Sequence, residues 1–141
     1  TPRRLRRVLE NVTGLVPQLH GSFFGRFMPE LRANSRNLPS RSGLSAGLDL
    51  GKTQLAEIGN DLTVVGAAVV GAVRMVGAAE PWQTLANVQL GEAIRAEQRR
   101  GRLDQVVMEA LSVETKEYAQ QAYSLRFFGL EIPREWNPRE P

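Results

Sequence analysis

GLSAGLDLGKTQLAEIGNDLTVVGAAVVGAVRMVGAA, residues 43–79, joins extended segments to a helix of small residues that carries one arginine. Leu44, Ala46, Leu48 and Leu50 alternate with Ser45, Gly47 and Asp49, the period of two that gives a strand one buried face. Gly51 and Lys52 read as the turn of a hairpin and Thr53 to Ile58 as its returning strand, with Gly59-Asn60-Asp61 punctuating the chain before Leu62 to Val65. From Gly66 a helix begins. Its glycines at 71 and 77 weaken it by about 1 kcal/mol each relative to alanine, so it belongs where another backbone must come close.

Upstream, Leu5, Val8, Leu9, Val12, Leu15, Val16 and Leu19 repeat at the spacing of one helical face, with arginines and Glu10 opposite. Pro17 and Gly21 predict a kink or break, after which Phe23, Phe24, Phe27, Met28 and Leu31 renew the period. The stripe reads as core or interface. Asn34 to Gly43 reads as a loop. Downstream, Thr84 to Ala86 predicts a short strand and Asn87 the cap of a helix running to about Arg100 and stopped by Gly101. A second short helix is expected at Leu103 to Leu111, then two strands from Val113 to Phe128 around Ala119-Gln120-Gln121. This order predicts an α+β fold, an antiparallel sheet with helices packed on one face. One domain is expected: a helical segment over 1–33, an α+β core over 43–132 and an exposed tail over 133–141.

The bulk composition narrows the function classes. The 141 residues suffice for one core, and a net charge of +3 does not demand a polyanion partner. Arginine dominates the cations, since Lys52 and Lys116 are the only lysines. Clusters at Arg3, Arg4, Arg6, Arg7 and at Arg95, Arg99, Arg100, Arg102 could meet nucleic acid or lipid headgroups, but read more simply as solvated helix faces. No nucleic-acid partner is therefore expected. With no cysteine, thiolate metal sites, disulfides and cysteine nucleophiles are excluded, in keeping with a cytoplasmic setting. The apolar run from Leu62 to Ala79 is broken by Thr63, Arg74 and glycines, so no membrane span is expected. No signal peptide is visible, and Thr1 in place of methionine implies residues removed upstream.

Gly47, Gly51 and Gly59, followed by Thr63, Val64, Val65, Gly66, Val69, Ala72 and Arg74, fall in one ungapped register. In that register the segment resembles the second half of a class III adenylate/guanylate cyclase catalytic domain, whose pattern runs G-I-H-T-G-x-x-x-x-G-x-I-G and then Y-T-V-I-G-D-x-V-N-x-A-x-R. Farther on, PWQTLANVQLGEAI resembles the strand and helix that usually follow. The resemblance implies a ferredoxin-like cyclase core of which this chain supplies the latter part. The metal-binding half would lie before Thr1, so Mg or Mn would be a cofactor only if that half is present. It further implies ATP or GTP as ligand, and as partner a second copy or the N-terminal half of a cyclase domain.

Arg74 matches the family arginine that stabilises the transferring phosphoryl group, and Thr63 the position that contacts the purine base, though Thr63 reads equally as an ordinary β-branched strand residue. An arginine among Val69, Val70, Val73, Met75 and Val76 must find an anion or reach solvent. Two readings stay open for it: a nucleotide phosphate held by its forked donors, or a structural role in which it pairs with Glu57, Asp61 or Glu80 or snorkels to solvent. The family asparagine one turn earlier is Val70 here, and the aspartate after the V-I-G turn is Ala67. Losing one transition-state donor costs roughly 10²–10³ in rate, so these departures imply a degenerate active site. The chain alone is expected to be inactive. Two further readings remain: an active adenylate cyclase completed by a metal-binding half outside this chain, and an α+β protein-interaction module that binds no nucleotide. Asp49 and Glu57 do not make a metal pair by spacing, and His20, the only histidine, reads as a surface residue beside a turn.

Overall fold

Period-2 and period-3.6 segments alternate along the chain, and the computed structural model, which describes residues 2–37, 43–114 and 119–130, turns them into the elements that surround the cleft. Helix α1 spans Arg3–Ser22, a π-helical turn follows at Phe23–Phe27, and α2 spans Met28–Asn34. Then come β1 (Ala46–Leu48), β2 (Gln54–Ile58), β3 (Asp61–Val65), α3 (Ala67–Ala78), β4 (Thr84–Asn87), α4 (Val88–Gln98), β5 (Val106–Glu114) and β6 (Ala119–Phe127).

The class is α+β, as expected, and the four-stranded sheet is mixed. Its order is β1-β4-β6-β5, with β1 parallel to β4 and the other pairs antiparallel. Because side chains alternate along a strand, Ala86 shares one face with Tyr123, Leu125 and Phe127, while Leu85 shares the other with Ala122. Leu9 and Val16 of α1 and Leu90 and Ile94 of α4 join the first group in the larger core. Met75 of α3 joins Leu85, Ala122 and Val113 in the smaller one. Helices thus cover both faces of the sheet, where the sequence suggested one.

Two local expectations are corrected. The hairpin does not pair Leu44–Leu50 with Thr53–Ile58: β1 joins the sheet, and β2 pairs with β3 from Gln54↔Val65 to Ile58↔Asp61. Gly59, at φ 64, makes that turn, a conformation glycine adopts without strain. The expected helix at Leu103–Leu111 is instead most of β5, paired with β6 from Val106↔Phe127 to Glu114↔Ala119. Nine-residue pairing and β-branched Val106, Val107 and Val113 override the helical preference of Met108 to Leu111.

Helix α1 runs through Pro17, and the expected interruption falls six residues later as the π turn. Burial of Val16 and His20 on either side of Pro17 offsets the hydrogen bond its ring removes. Asn87 caps α4 as the sequence indicated, accepting from the Leu90 amide at 3.1 Å. The expected loop is described only at its edges, since residues 38–42 lie outside the described residues, as do 115–118 and the tail from 131.

Candidate functional site

Close approach of β1 to α3 builds the site. Gly47 lies on the sheet face that α3 covers, and a methyl group there would sit 2.6 Å from the Val76 nitrogen. Gly66, at φ 137, opens α3 with a backbone that side chains rarely tolerate and lies against the Lys52 carbonyl oxygen. Gly47 in β1 thus lets strand backbone lie directly on the helix backbone at Ala72 and Val76, whereas within α3 Gly71 makes room for the Asp49 side chain and an added Cβ at Gly77 would meet none of the described residues.

Beyond Gly47 the chain turns under α3, held there by Asn87. The Leu50 amide donates to Asn87 Oδ1 at 3.0 Å, and Asn87 Nδ2 donates to the Leu50 carbonyl at 3.1 Å. One side chain thus caps α4 and clamps the Asp49–Gly51 segment. Between that segment and α3 lies an open cleft of about 670 Å³. Asp49 and Lys52 line it from the segment, Ala67, Gly71 and Arg74 from α3, Gln89 from α4 and Gln120 from β6.

Among the described residues the cleft holds two cations, one carboxylate and two amides. Asp49 packs its carboxylate against Gly71, where any side chain would collide with it. Burial pushes the Asp49 carboxyl above the usual carboxylate range, because the charged form is poorly solvated there. Gln120 Oε1 is buried and makes no hydrogen bond among the described residues. Arg74 is half-buried, as an arginine stem threaded along an apolar helix would be. Its guanidinium and the Lys52 ammonium suit an anion such as a phosphate.

Sequence reasoning selected Arg74 and Thr63. The structure puts Arg74 on the cleft, together with Ala67, the position of the missing family aspartate. It does not bring Thr63 there: Thr63 sits half-buried in β3 opposite Ala56, and the cleft lining does not include it. Val70 points away, half-exposed. Lys52, Gln89 and Gln120 were missed. Lys52 gave a signal, as one of only two lysines in a glycine turn, whereas the glutamines on α4 and β6 gave none.

His20 is corrected from surface to interior. It is 1% exposed, stacks on Phe24 and shares a 3.0 Å hydrogen bond between Nε2 and Thr84 Oγ1. Its Nδ1 has no hydrogen-bond partner among the described residues, and burial lowers its pKa below the ordinary histidine value. Glu57 is exposed on β2, away from Asp49 on the cleft. Among the described residues no group of three or more His, Asp or Glu could hold a metal ion, and no helix is long and apolar enough to cross a membrane. Comparison with protein-family models, with curated proteins and with solved structures finds no significant match to this chain.

Proposed function

We propose that this chain is the latter part of a class III nucleotidyl cyclase-like domain, degenerate in its chemistry, that binds a purine nucleoside triphosphate and acts in cyclic-nucleotide signalling as a regulatory partner. One observation carries the reading. The segment that resembles the family folds around a cleft, and the arginine matching the family's phosphate-contacting residue lies on that cleft, which Lys52 also lines. A cleft lined by Lys52, Arg74 and two side-chain amides suits a ligand with an anionic group and hydrogen-bonding edges, as a nucleotide has.

Turnover is not part of this reading for the chain alone. The described residues do not fit a catalytic Mg or Mn site, since Asp49 is the single carboxylate on the cleft. Val70 and Ala67 supply no donor and no ligand. An active cyclase would require a metal-binding half from another part of the protein or another chain. Thr63 as a purine contact would likewise require a site assembled with that other half, because it lies off the cleft.

The partner is expected at the β2–β3 hairpin, which carries Leu55, Ile58 and Leu62 at 64–71% exposure. A two-stranded hairpin on its own is marginally stable in water, and such apolar patches mark interfaces. Titration with non-hydrolysable ATP and GTP analogues, with a cyclase assay on ATP and GTP themselves, tests the nucleotide claim directly. Saturable binding of the analogues with no cyclic nucleotide formed from ATP or GTP supports it; no binding leaves an interaction module that keeps only the scaffold.

A further inference from the structure

The first 34 residues carry a surface that neither the cleft nor the core uses. Leu9, Thr13, Val16 and His20 turn α1's buried face to the sheet, and Met28 continues that face beyond the π turn. At 3.6 residues per turn Met28 would have rotated off it; the looser π turn brings it back. The same adjustment aligns a second stripe. Val8, Leu15 and Leu19 are about half-exposed, and Phe27 and Leu31 extend the row at 57% and 40%.

This row is apolar, long and unburied, and it has a charged end. Arg3, Arg4 and Arg7 are exposed in the first two turns of α1, and Arg6 is half-buried, reaching Glu10 at 4.0 Å. Glu10 is the sole acidic residue in α1. On the helical wheel Arg4 and Arg7 border the solvent side of the Val8–Leu15–Leu19 row.

We propose that this face docks on an anionic lipid bilayer surface, with α1 lying in the interfacial plane. The arginines meet lipid phosphates and carboxylates while Leu15, Leu19 and Phe27 enter the boundary between headgroups and acyl chains. That pairing of a basic cluster with an apolar row is what an interfacial helix requires. A nucleic-acid partner would engage the arginines and leave the apolar row wet. A second copy in parallel register would set the two arginine clusters against each other.

Co-sedimentation of the full chain with phosphatidylcholine vesicles, with and without a third of phosphatidylserine, tests the proposal. Binding is expected only to the anionic vesicles and should fall with added salt. Each Arg→Gln change at Arg3, Arg4 or Arg7 should weaken it by about fivefold. The exposed changes Leu15→Ser and Phe27→Ser should weaken it also, with an unchanged melting temperature showing that the fold survives. The proposal fails if anionic vesicles do not retain the protein, or if Leu15→Ser and Phe27→Ser bind as the wild type does. It fails equally if the row proves to hold a dimer, one that Leu15→Ser dissociates while vesicles remain unbound, or if duplex DNA is retained in place of vesicles.

Discussion

The Gly47 α-carbon in β1 faces the Val76 backbone in α3 with no room for a side chain, so that a methyl group would come within 2.6 Å of the Val76 nitrogen. Strand and helix therefore touch backbone to backbone, and the Asp49 carboxylate just beyond this contact is pressed against Gly71. The position of the cleft follows from that approach.

Gly47→Ala is expected to destabilise the fold by about 2–4 kcal/mol, because the obstacle is helix backbone and cannot rotate aside. Gly77→Ala, in the helix that Gly47 packs against, is the control. An added Cβ meets nothing within 4 Å there, so the change should be neutral or stabilise by up to about 1 kcal/mol. Urea unfolding of the two variants reads the difference.

Much of this contact was legible in sequence, and the reason is physical. Gly47, Gly66 and Gly71 mark close approach, because only glycine leaves the space a Cβ would fill, whereas Gly59 and Gly77 in the same stretch do not. Asn87 was equally legible as a cap. Its second task, clamping Leu50, depends on parallel pairing of β1 with β4, which no local signal encodes. The strand β5 was misread because Met108 to Leu111 favours helix locally and only its pairing with β6 reverses the preference. His20 was misread for a related reason: a polar residue beside a glycine suggests surface, and its partner Thr84 is far away in sequence.

Acid should loosen the attachment of α1. His20 has a folded pKa below its unfolded value, so the unfolded chain binds the extra proton and stability rises with pH. That stability is lost as pH falls through about 6.5 towards the depressed folded value. His20→Gln, which does not titrate, should show a flatter loss between about pH 7 and pH 5 than the wild type. Identical profiles in thermal melts would show that His20 does not set the acid response.

Glu97 is fully buried, with Arg102 Nη1 3.2 Å from its Oε2 and Arg100 Nη1 3.6 Å from its Oε1. Removing Arg102 takes a hydrogen-bonded cation from a buried carboxylate, so Arg102→Ala should cost about 1–3 kcal/mol. Arg100→Ala, more distant and half in water, should cost under about 1 kcal/mol. Equal costs would indicate that the two arginines share the charge evenly.

The most direct test of the nucleotide reading is calorimetric titration of wild type and Arg74→Ala with a non-hydrolysable purine triphosphate, paired with the melting temperature of each. A triphosphate held by Arg74 predicts binding weakened by about 1.5–3 kcal/mol in the variant, the scale of a hydrogen bond to a charged group, with the melting temperature preserved. Binding that is indifferent to Arg74, or absent from the wild type while Arg74→Ala lowers the melting temperature, would contradict it.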